Sequence, residues 1–334
     1  MPGSRTFIGM RACLRAMALP RVGAVTLNYK TPDQTEAAVR SLLASVGVTM
    51  SVVLVENGSA DGSRERLKAA FGHEPRVELI ASETNLGFAG GNNLGIRRLL
   101  DRGAEFVFLV SSDVVAEPDC AARLVEVLEA HAAASAQPVM LRPGGDLVDT
   151  LGHKLMPDST VVDISGGQPL PQEVLGKDWE IFGVCAGAAL YRGDIFRDIG
   201  MLAEDFFIYY EDVDLGFRIR LAGGKALLVT SARARHTRHG SAGGFALKHY
   251  YAERNLVAVR IRHSTLRGVA TLDTLGHVAR GLFEAVRHRR KAEYVGHLLR
   301  ALVAPRTAGA RERRAMALAW TGVERRPLPE ARRS

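Results

Sequence analysis

Three carboxylates stand close together directly after an aromatic run, in a segment suited to proton transfer. They are Glu211, Asp212 and Asp214, and the run before them is Phe206-Phe207-Ile208-Tyr209-Tyr210. In the first turn of a helix they would lie at its partially positive end, so N-terminal capping also explains them. Aromatic rings beside acids equally suit a general base next to a carbohydrate. The segment predicts a general base, with helix capping as the alternative.

Asp113 and His236 are candidates for a metal site. Asp113 follows the apolar run 106–110, and His236 lies in the basic stretch 235–239. A carboxylate at the end of a strand commonly begins a turn, but it is also a hard oxygen ligand for a cation that carries a diphosphate. A single histidine is more often structural than a ligand, yet imidazole with carboxylate accepts Mn²⁺ as well as Mg²⁺. The two residues therefore predict a divalent metal cofactor, Mg²⁺ or Mn²⁺.

The elements that must position these residues alternate between strands and helices. Apolar runs predict strands at 22–29, 51–55, 76–80 and 105–110, and amphipathic stretches predict helices at 33–44, 61–70, 89–100 and 118–131. Helical crossovers between strands imply a mainly parallel α/β sheet, whose ligands bind beyond the carboxyl ends of the strands. The polar residues at those ends predict a nucleotide-type site, and they are Asn28, Tyr29, Glu56, Asn57, Ser59, Asn85, Ser112 and Asp113.

The glycine-rich segment 87–95 stands before a predicted helix. It lacks the Gly-Lys-Ser/Thr of a Walker loop and the later acid of a dinucleotide-binding turn. Close packing of a helix on a strand is the simpler interpretation of Gly90, Gly91 and Gly95.

The second half of the chain is less regular. Residues 142–177 are rich in Gly and Pro and predict a surface excursion, with a hairpin as one form of it. Strands are predicted at 182–191 and 225–230, and a helix at 211–221 that ends at Gly223-Gly224. From residue 266 onward, apolar residues recur at three- and four-residue steps, which is typical of amphipathic helices.

Composition excludes several classes of protein. Of the 334 residues, 47% are hydrophobic and 24% charged, which excludes a disordered chain, a collagen and a coiled-coil rod. Three separated cysteines without metal-ligand spacing indicate a reducing compartment, and hence a cytoplasmic protein. No apolar run reaches the roughly 18–20 residues of a membrane span. The first twenty residues do not resemble a signal peptide, and they predict a basic arm or a chain start at Met17.

The positive charge is concentrated at the end of the chain. From residue 231 onward there are 22 Lys and Arg against 7 Asp and Glu, whereas the first 230 residues hold 22 against 29. Two interpretations stay open: the basic helices lie on an anionic membrane surface, or they pack on the remainder with their charges in water. Nucleic acid is not predicted as a partner, because aromatic and basic residues are not interleaved and no reader motif occurs.

Seven segments between residues 22 and 255 resemble glycosyltransferase family 2, and especially its bacterial rhamnosyltransferase-like members. A single such segment is a weak match, but seven in order and at matching spacings are specific. The segments are 25–29 (VTLNY), 55–63 (VENGSADGS), 85–95 (NLGFAGGNNLG), 109–113 (LVSSD), 206–215 (FFIYYEDVDL) followed by Arg218 and Gly224, His236 followed by His239-Gly240-Ser241, and Arg254-Asn255.

The resemblance implies a GT-A fold with a Rossmann-like nucleotide-sugar-binding sheet and an inverting sugar transfer. The implied donor is a nucleoside diphosphate sugar, dTDP-L-rhamnose first, and the acceptor is a cell-surface glycan or a lipid-linked one. Asp212 would be the catalytic base, Glu211 would orient the acceptor hydroxyl, and Asp113 and His236 would hold the metal. The donor-binding residues it implies are Leu27, Asn28, Tyr29, Glu56, Asn57, Ser59, Asn85, Gly87, Asn92, Ser112, Asp113 and Gly187.

Three positions depart from the family pattern. In one, Met201-Leu202-Ala203-Glu204 replaces the usual Gly-Phe-Asp-Glu, so Glu204 matches and its neighbour does not. Glu56 stands where the family usually has Asp, which keeps the acceptor group but adds a methylene. Ser111-Ser112-Asp113 supplies one acid instead of Asp-x-Asp, as in rhamnosyltransferase-like members.

The expected division of the chain is a basic arm or mis-assigned start at 1–20, a GT-A domain at 21–260 and a basic amphipathic helical extension at 261–334. The extension would attach the protein peripherally to the inner face of the plasma membrane. Two other functions stay open. A catalytically silent GT-A domain would bind nucleotide or scaffold a complex, and the Glu211-Asp212 pair and His236 argue against it. A nucleotidyltransferase on a related fold would need a Gly-rich loop with Arg and Lys near the first strand, which is absent.

Overall fold

The computed structural model describes residues 18–157, 160–237, 244–264, 271–304 and 310–328. Most of the expected N-terminal arm, the residues His239-Gly240-Ser241, and the expected start of the tail helices at residue 266 lie outside this part of the chain.

Strands and helices alternate through the first 130 residues, as the hydrophobic pattern predicts. Helices on both faces of the parallel sheet bury most residues of β1, β2 and β4, which explains the continuous apolar runs of these strands. The elements are β1 (Arg21–Asn28), α1 (Pro32–Leu43), β2 (Thr49–Asn57), α2 (Ser63–Phe71), β3 (Val77–Ser82), α3 (Gly87–Asp101), β4 (Phe106–Val110) and α4 (Cys120–Ala130).

Shorter strands and the remaining helices follow. The helix predicted at 211–221 forms at those bounds. The strands are β5 (Val114–Ala116), β6 (Ser135–Leu141), β7 (Val148–Thr150), β8 (His153–Leu155), β9 (Val161–Asp163), β10 (Trp179–Ile181), β11 (Ala188–Arg192), β12 (Ala226–His236) and β13 (Arg326–Pro327). The helices are α5 (Gly193–Asp198), α6 (Glu211–Leu221), α7 (Gly244–His263), α8 (Leu272–Arg287), α9 (Lys291–Val303) and α10 (Ala310–Trp320).

The strands form one large sheet in the order β13–β10–β12–β6–β11–β4–β1–β2–β3. β4, β1, β2 and β3 are parallel neighbours, and β6 is parallel to β12. β11 runs antiparallel between β4 and β6, where the chain returns through the middle of the sheet. The predicted α/β fold with a mainly parallel central sheet and flanking helices is confirmed, and antiparallel strands extend it on the C-terminal side.

The segment 142–177 does not form the surface excursion that its Gly and Pro content predicts. β7 pairs with β6, and β8 and β9 form a separate hairpin. Asp149, Leu151 and His153 are buried. Gly152 has a φ of +107°, which lets the chain turn from β7 into β8 without a side chain in the way. The segment therefore contributes buried polar groups to the interior.

Two predicted strands differ in extent, and several strands, β6 among them, were not predicted. Of residues 182–191 only the part from Ala188 is a strand, because the N–H groups of Cys185 and Ala186 bond to side chains instead of a neighbouring strand. β12 runs past the predicted 225–230 to His236, since it rejoins β6 after a bulge and then pairs with β5. β6 escaped prediction because Gln137 and Pro138 interrupt its apolar run.

The C-terminal helices α8 and α9 form a hairpin that packs on α7. At their closest approach Gly281 of α8 meets the ring of Tyr294, where a Cβ would overlap the ring. The boundary expected at residue 260 falls inside α7. Within the described ranges, every helix is too short or too polar to span a bilayer.

Candidate active site

The carboxyl end of β4 brings the two predicted metal ligands together. Asp113 follows β4, and His236 ends β12, which pairs with β5 immediately beyond Asp113. Oδ1 of Asp113 lies 3.2 Å from Nε2 of His236, and the side chains are 14% and 17% exposed. A carboxylate oxygen and an imidazole nitrogen that face each other at a partly open rim fit Mg²⁺ or Mn²⁺.

His236 is oriented by Asp149, which the sequence analysis did not identify. Nδ1 of His236 donates to Oδ2 of Asp149 at 2.7 Å, and Asp149 is buried. Burial alone would lower the pKa of His236, but the hydrogen bonds with Asp113 and Asp149 outweigh it and raise this pKa to about 9. Because Asp149 occupies Nδ1, Nε2 is the ring nitrogen left to face a cation, an arrangement common around histidine ligands.

Several predicted donor-binding side chains are buried and bonded to one another. Asn28 donates to Oγ of Ser59 at 3.1 Å and accepts from Thr35 at 2.8 Å. Oε1 of Glu56 accepts the backbone N–H of Ser59 at 2.8 Å. None of these four side chains is more than 3% exposed. They brace the turns that follow β1 and β2, and so they shape the rim from beneath.

Asn57 joins the end of β2 to the start of α3. Its Nδ2 donates to Oδ1 of Asn85 and to the carbonyl of Gly87, and its Oδ1 accepts the N–H of Leu86. Gly87 has a φ of +73°, and a Cβ there would overlap the carbonyl oxygen of Phe207. This turn requires glycine because the loop before α6 lies directly against it.

Two more of the predicted donor residues are buried, and those with exposed surface form the outer part of this rim. Asn92 is buried and donates to the carbonyl of Phe88, and Gly187 is buried beside the ring of His236. Within the predicted set, the side chains that a ligand could reach are those of Leu27, Tyr29, Asn85, Ser112 and Asp113.

Asp212 lies in the first turn of α6, and two backbone N–H groups fix its carboxylate. Oδ1 accepts from Val213 at 2.7 Å, and Oδ2 accepts from Ala186 at 3.0 Å. The side chain is 14% exposed. Its remaining lone pairs can accept a proton from a bound hydroxyl group. The next residue after Ala186 is Gly187, beside His236, so one short segment links the base candidate to the metal candidate.

Glu211 differs from its neighbour because it is buried. Only 5% of it is exposed, and its Oε2 has no hydrogen-bond partner among the described residues. Burial, followed by the negative charge of Asp212, raises the pKa of Glu211 well above its usual range. A raised pKa favours the protonated acid, which can donate a hydrogen bond.

The third acid of the cluster, Asp214, has a structural environment. It is buried and accepts from Nε of Arg218 at 2.8 Å and from Nε2 of His263 at 2.9 Å. Burial opposes its charge, but His263, Arg218 and Arg262 outweigh it and hold the pKa of Asp214 well below its usual range. The ion network ties α6 to α7, so Asp214 fits neither a base nor a metal ligand.

The loop before α6 has an unusual backbone that neighbouring side chains hold in place. Phe207, Tyr209 and Tyr210 have φ angles of +66°, +68° and +70°. The left-handed region is unfavourable for such residues, and it persists where surrounding structure enforces it, often at functional sites. Nδ2 of Asn255 lies 2.7–2.9 Å from the carbonyls of Phe206, Ile208 and Tyr209.

Arg254 supports the same loop from α7. Its Nη2 donates to the carbonyls of Asp205 and Phe206 at 3.0 and 2.7 Å, and its Nη1 bonds to Glu293 of α9 at 2.7 Å. Arg254 and Asn255 are almost completely buried. The pair therefore positions the segment that carries Glu211 and Asp212.

A second polar group next to Asp212 was not predicted. His153, Asp163 and Cys185 each place one potential ligand atom within 4.8 Å of the others. Nε2 of His153 lies 3.9 Å from Oδ2 of Asp212. We did not predict His153, Asp163 or Asp149 from the sequence, because residues 142–177 show no regular hydrophobic pattern.

Known proteins resemble this chain in sequence. Residues 24–200 match glycosyl transferase family 2. An N-acetylglucosaminyl-diphospho-decaprenol L-rhamnosyltransferase of Mycobacterium tuberculosis is 26% identical over 287 residues, which cover 74% of this chain and 90% of that protein. The succinoglycan biosynthesis protein ExoO of Rhizobium meliloti is 36% identical over 115 residues, 34% of this chain and 32% of that protein.

Solved structures share the fold at low sequence identity. GalNAc-T7 with UDP, GalNAc and Mn²⁺ superposes with a TM-score of 0.63 at 14% identity, covering 86% of this chain and 57% of that one. The mannosyltransferase PcManGT from Pyrobaculum calidifontis, in complex with GDP-Man and Mn²⁺, gives 0.55 at 15% identity, covering 91% and 80%. These likenesses confirm the GT-A fold.

Proposed function

The chain belongs to glycosyl transferase family 2 and is a glycosyltransferase, and we propose that it transfers a sugar with inversion from a nucleoside diphosphate donor to a lipid-linked glycan acceptor. The observation that carries this proposal is the position of Asp212. Its carboxylate is 14% exposed, is fixed by two N–H groups and lies across the segment 185–187 from Asp113 and His236. A base and a diphosphate-binding edge on one rim are what a single displacement requires.

Asp212 acts as the general base. A sugar hydroxyl is a weak nucleophile, so a positioned carboxylate takes its proton during the attack on the donor sugar. The N–H groups of Val213 and Ala186 hold the carboxylate in one orientation. A retaining route through a glycosyl-enzyme would need a second, ionised carboxylate as nucleophile. The raised pKa of Glu211 favours its protonated form, and Asp214 is held by Arg218 and His263. Glu211, as a protonated acid, orients the acceptor hydroxyl.

Asp113 and His236 hold the divalent cation. When bound, the cation supplies positive charge that stabilises the leaving diphosphate. Asp149 keeps Nε2 of His236 directed at Asp113. Leu27, Tyr29, Asn85 and Ser112 contact the nucleotide, while the buried residues beneath them keep the turns in place.

The donor we propose is dTDP-L-rhamnose, and the acceptor is a glycan on a polyprenyl diphosphate. Both rest on the name of the mycobacterial relative, which covers 74% of this chain, and on the rhamnosyltransferase-like pattern of Ser111-Ser112-Asp113.

A lipid-linked acceptor would bring the protein to the cytoplasmic face of the plasma membrane, and α8 and α9 suit such a surface. Each helix packs on the body through one side, with Ala285, Tyr294 and Ala301 buried. The other side of each helix exposes large apolar side chains, and these are Leu272, Leu275, Leu282, Phe283 and Val286 on α8 and Val295, Leu299, Leu302 and Val303 on α9.

Apolar side chains at helical spacing between arginines are typical of helices that lie in a membrane interface. Because the tail is strongly basic, we propose an anionic bilayer as the occupant of this face. The triple variant Leu275→Glu, Phe283→Glu, Leu299→Glu should keep its fold, since all three positions are exposed, and lose flotation with anionic vesicles. Val46→Glu, at an exposed apolar residue before β2, is the control and should float like wild type. Equal flotation of the triple variant would contradict the proposed face.

The function is tested by donor turnover. The protein is incubated with a panel of nucleotide sugars in Mn²⁺, Mg²⁺ or EDTA, and released nucleoside diphosphate is measured with and without a prenyl diphosphate glycan. We expect metal-dependent release from dTDP-L-rhamnose, increased by the acceptor. Release from another donor alone would replace rhamnose and keep the reaction class. If no donor reacts and none raises the thermal midpoint, the protein is a silent GT-A scaffold.

A further inference from the structure

The cluster beside the base contains three different kinds of metal ligand. His153 and Asp163 stand directly opposite each other in the β8–β9 hairpin, and Cys185 lies in the segment before β11. The backbone N–H of His153 bonds to the carbonyl of Gly183, which holds the hairpin against that segment. One ligand atom from each residue lies within 4.8 Å of the other two.

His153 is the unexplained member of this cluster. It is 6% exposed, and its Nδ1 has no hydrogen-bond partner among the described residues. Its Nε2 lies 4.0 Å from Oδ1 of Asp163 and 3.9 Å from Oδ2 of Asp212, beyond hydrogen-bond distance. Nε2 faces Asp163 and Asp212 and is therefore the nitrogen placed to ligate an ion, which would give this buried ring a bonded partner that it lacks among the described residues.

We propose that His153, Asp163 and Cys185 form a second metal site, selective for a borderline-soft divalent cation such as Zn²⁺. A thiolate with imidazole and carboxylate is a donor set that favours zinc over magnesium. It is distinct from the donor metal site, which has no sulfur ligand. Ligand atoms around tetrahedral zinc lie about 3.3–3.7 Å apart, so the cluster must contract by up to about 1 Å, and Asp163, at the exposed end of β9, is the residue able to move.

Because the cluster lies beside Asp212, a cation bound there would affect sugar transfer, and this part rests on the proposed function. Oδ2 of Asp212 lies 3.9 Å from Nε2 of His153, so a zinc ion bound to His153 would stand beside the base. The positive charge of that ion would stabilise the carboxylate of Asp212, which would then take the proton of the acceptor less readily. Zinc at this site therefore inhibits transfer without displacing the cation at Asp113 and His236.

Binding is tested first, with Co²⁺ as a spectroscopic substitute for zinc. We expect the wild-type chain to develop the absorption of thiolate-bound Co²⁺ and to lose it when Zn²⁺ is added. Loss of an outer partner of a metal ligand already weakens binding about 10–100-fold, so Cys185→Ser, which removes a ligand, should weaken it at least 100-fold. Cys120→Ser and Cys13→Ser are the matched controls and should keep the band. A band that survives Cys185→Ser, or its absence from wild type, overturns the proposal.

Two further variants separate this site from the donor site. Asp163→Asn removes an exposed ligand and should weaken Co²⁺ binding even where the cysteine variant folds poorly. Asp113→Asn should keep the thiolate band, and its loss would assign the metal to the other site and refute the proposal. For an active enzyme, Zn²⁺ should inhibit wild-type transfer in saturating Mn²⁺ and inhibit Cys185→Ser at least tenfold more weakly. Thiolate-bound Co²⁺ with no transfer to any acceptor would support the site and refute the proposed function separately.

Discussion

Asn255→Ala tests whether the strained loop before α6 positions the base. The side chain reaches three loop carbonyls and does not touch Asp212. Arg254 still donates to Phe206 in the variant, so the carbonyls of Ile208 and Tyr209 lose the contact. At about 1–3 kcal/mol for each buried carbonyl left without a partner, and with partial rescue by water, we expect a loss of about 2–4 kcal/mol in unfolding free energy.

The effect on catalysis should exceed the effect on donor binding. Residues with positive φ relax when their partners are removed, and a displacement of about 1 Å in a reacting group can reduce the rate about 100-fold. We therefore expect kcat for sugar transfer to fall about 10–100-fold, while the donor dissociation constant, set mainly by the rim around Asp113, changes much less.

The assay compares Asn255→Ala with Thr230→Val. Thr230 is also buried and donates to the carbonyl of Lys177, in a part of the sheet that does not contact the loop. Transfer rates, donor titrations and chemical unfolding are measured for both variants. If Asn255→Ala loses no more kcat than Thr230→Val at similar stability, the loop does not position Asp212 and the reasoning is refuted.

Three more predictions follow from the described contacts. Gly91→Ala places a Cβ against the end of the Leu27 side chain and should lower unfolding free energy by up to about 2 kcal/mol, since overpacking costs about 1–3 kcal/mol and alanine in a helix regains about 1; a raised thermal midpoint would contradict this packing. Burial, and then the charges of neighbouring arginines, lower the pKa of His297 to about 2. Below about pH 6.5 the unfolded chain therefore binds a proton that the native chain does not, and stability should fall by up to about 1.4 kcal/mol per pH unit. Unfolding titrations of wild type and His297→Asn should diverge as pH falls, and parallel curves would contradict the burial. Asp113→Asn should raise the donor dissociation constant in Mn²⁺ at least about tenfold and make it insensitive to EDTA, whereas metal-dependent binding that persists would place the cation elsewhere.

The hydrophobic pattern was sufficient for β1 to β4 and for α1 to α4, because these strands are buried or half-buried on both faces and each helix is buried on one. The rim residues were predictable because the carboxyl ends of parallel strands lie at one edge of the sheet. Burial was not predictable: Asn28 and Glu56 look like ligand-binding groups in the sequence, and the structure places them in a network beneath the surface. A side chain's direction depends on partners that are distant in sequence, such as Thr35 and Ser59.

Some polar residues around the base are buried, and the sequence does not predict this either. Asp149 and His153 stand in a stretch with no clear periodicity, so local pattern gives no reason to bury them. Their role follows from tertiary pairing, of β7 with β6 and of His153 with Gly183. Arg254-Asn255 was visible as a motif, but its contacts with the carbonyls of 205–209 depend on how α7 crosses the loop.

The most direct test of the central claim is the transfer rate of Asp212→Asn at saturating donor and acceptor, measured together with donor affinity. Asparagine keeps the shape of the side chain, but its single amide oxygen can accept only one of the two N–H bonds from Val213 and Ala186, and it cannot take a proton. With Asp212 as the base, kcat should fall at least about 100-fold, and the donor dissociation constant should stay within about twofold of wild type. Undiminished transfer by Asp212→Asn would contradict Asp212 as the base.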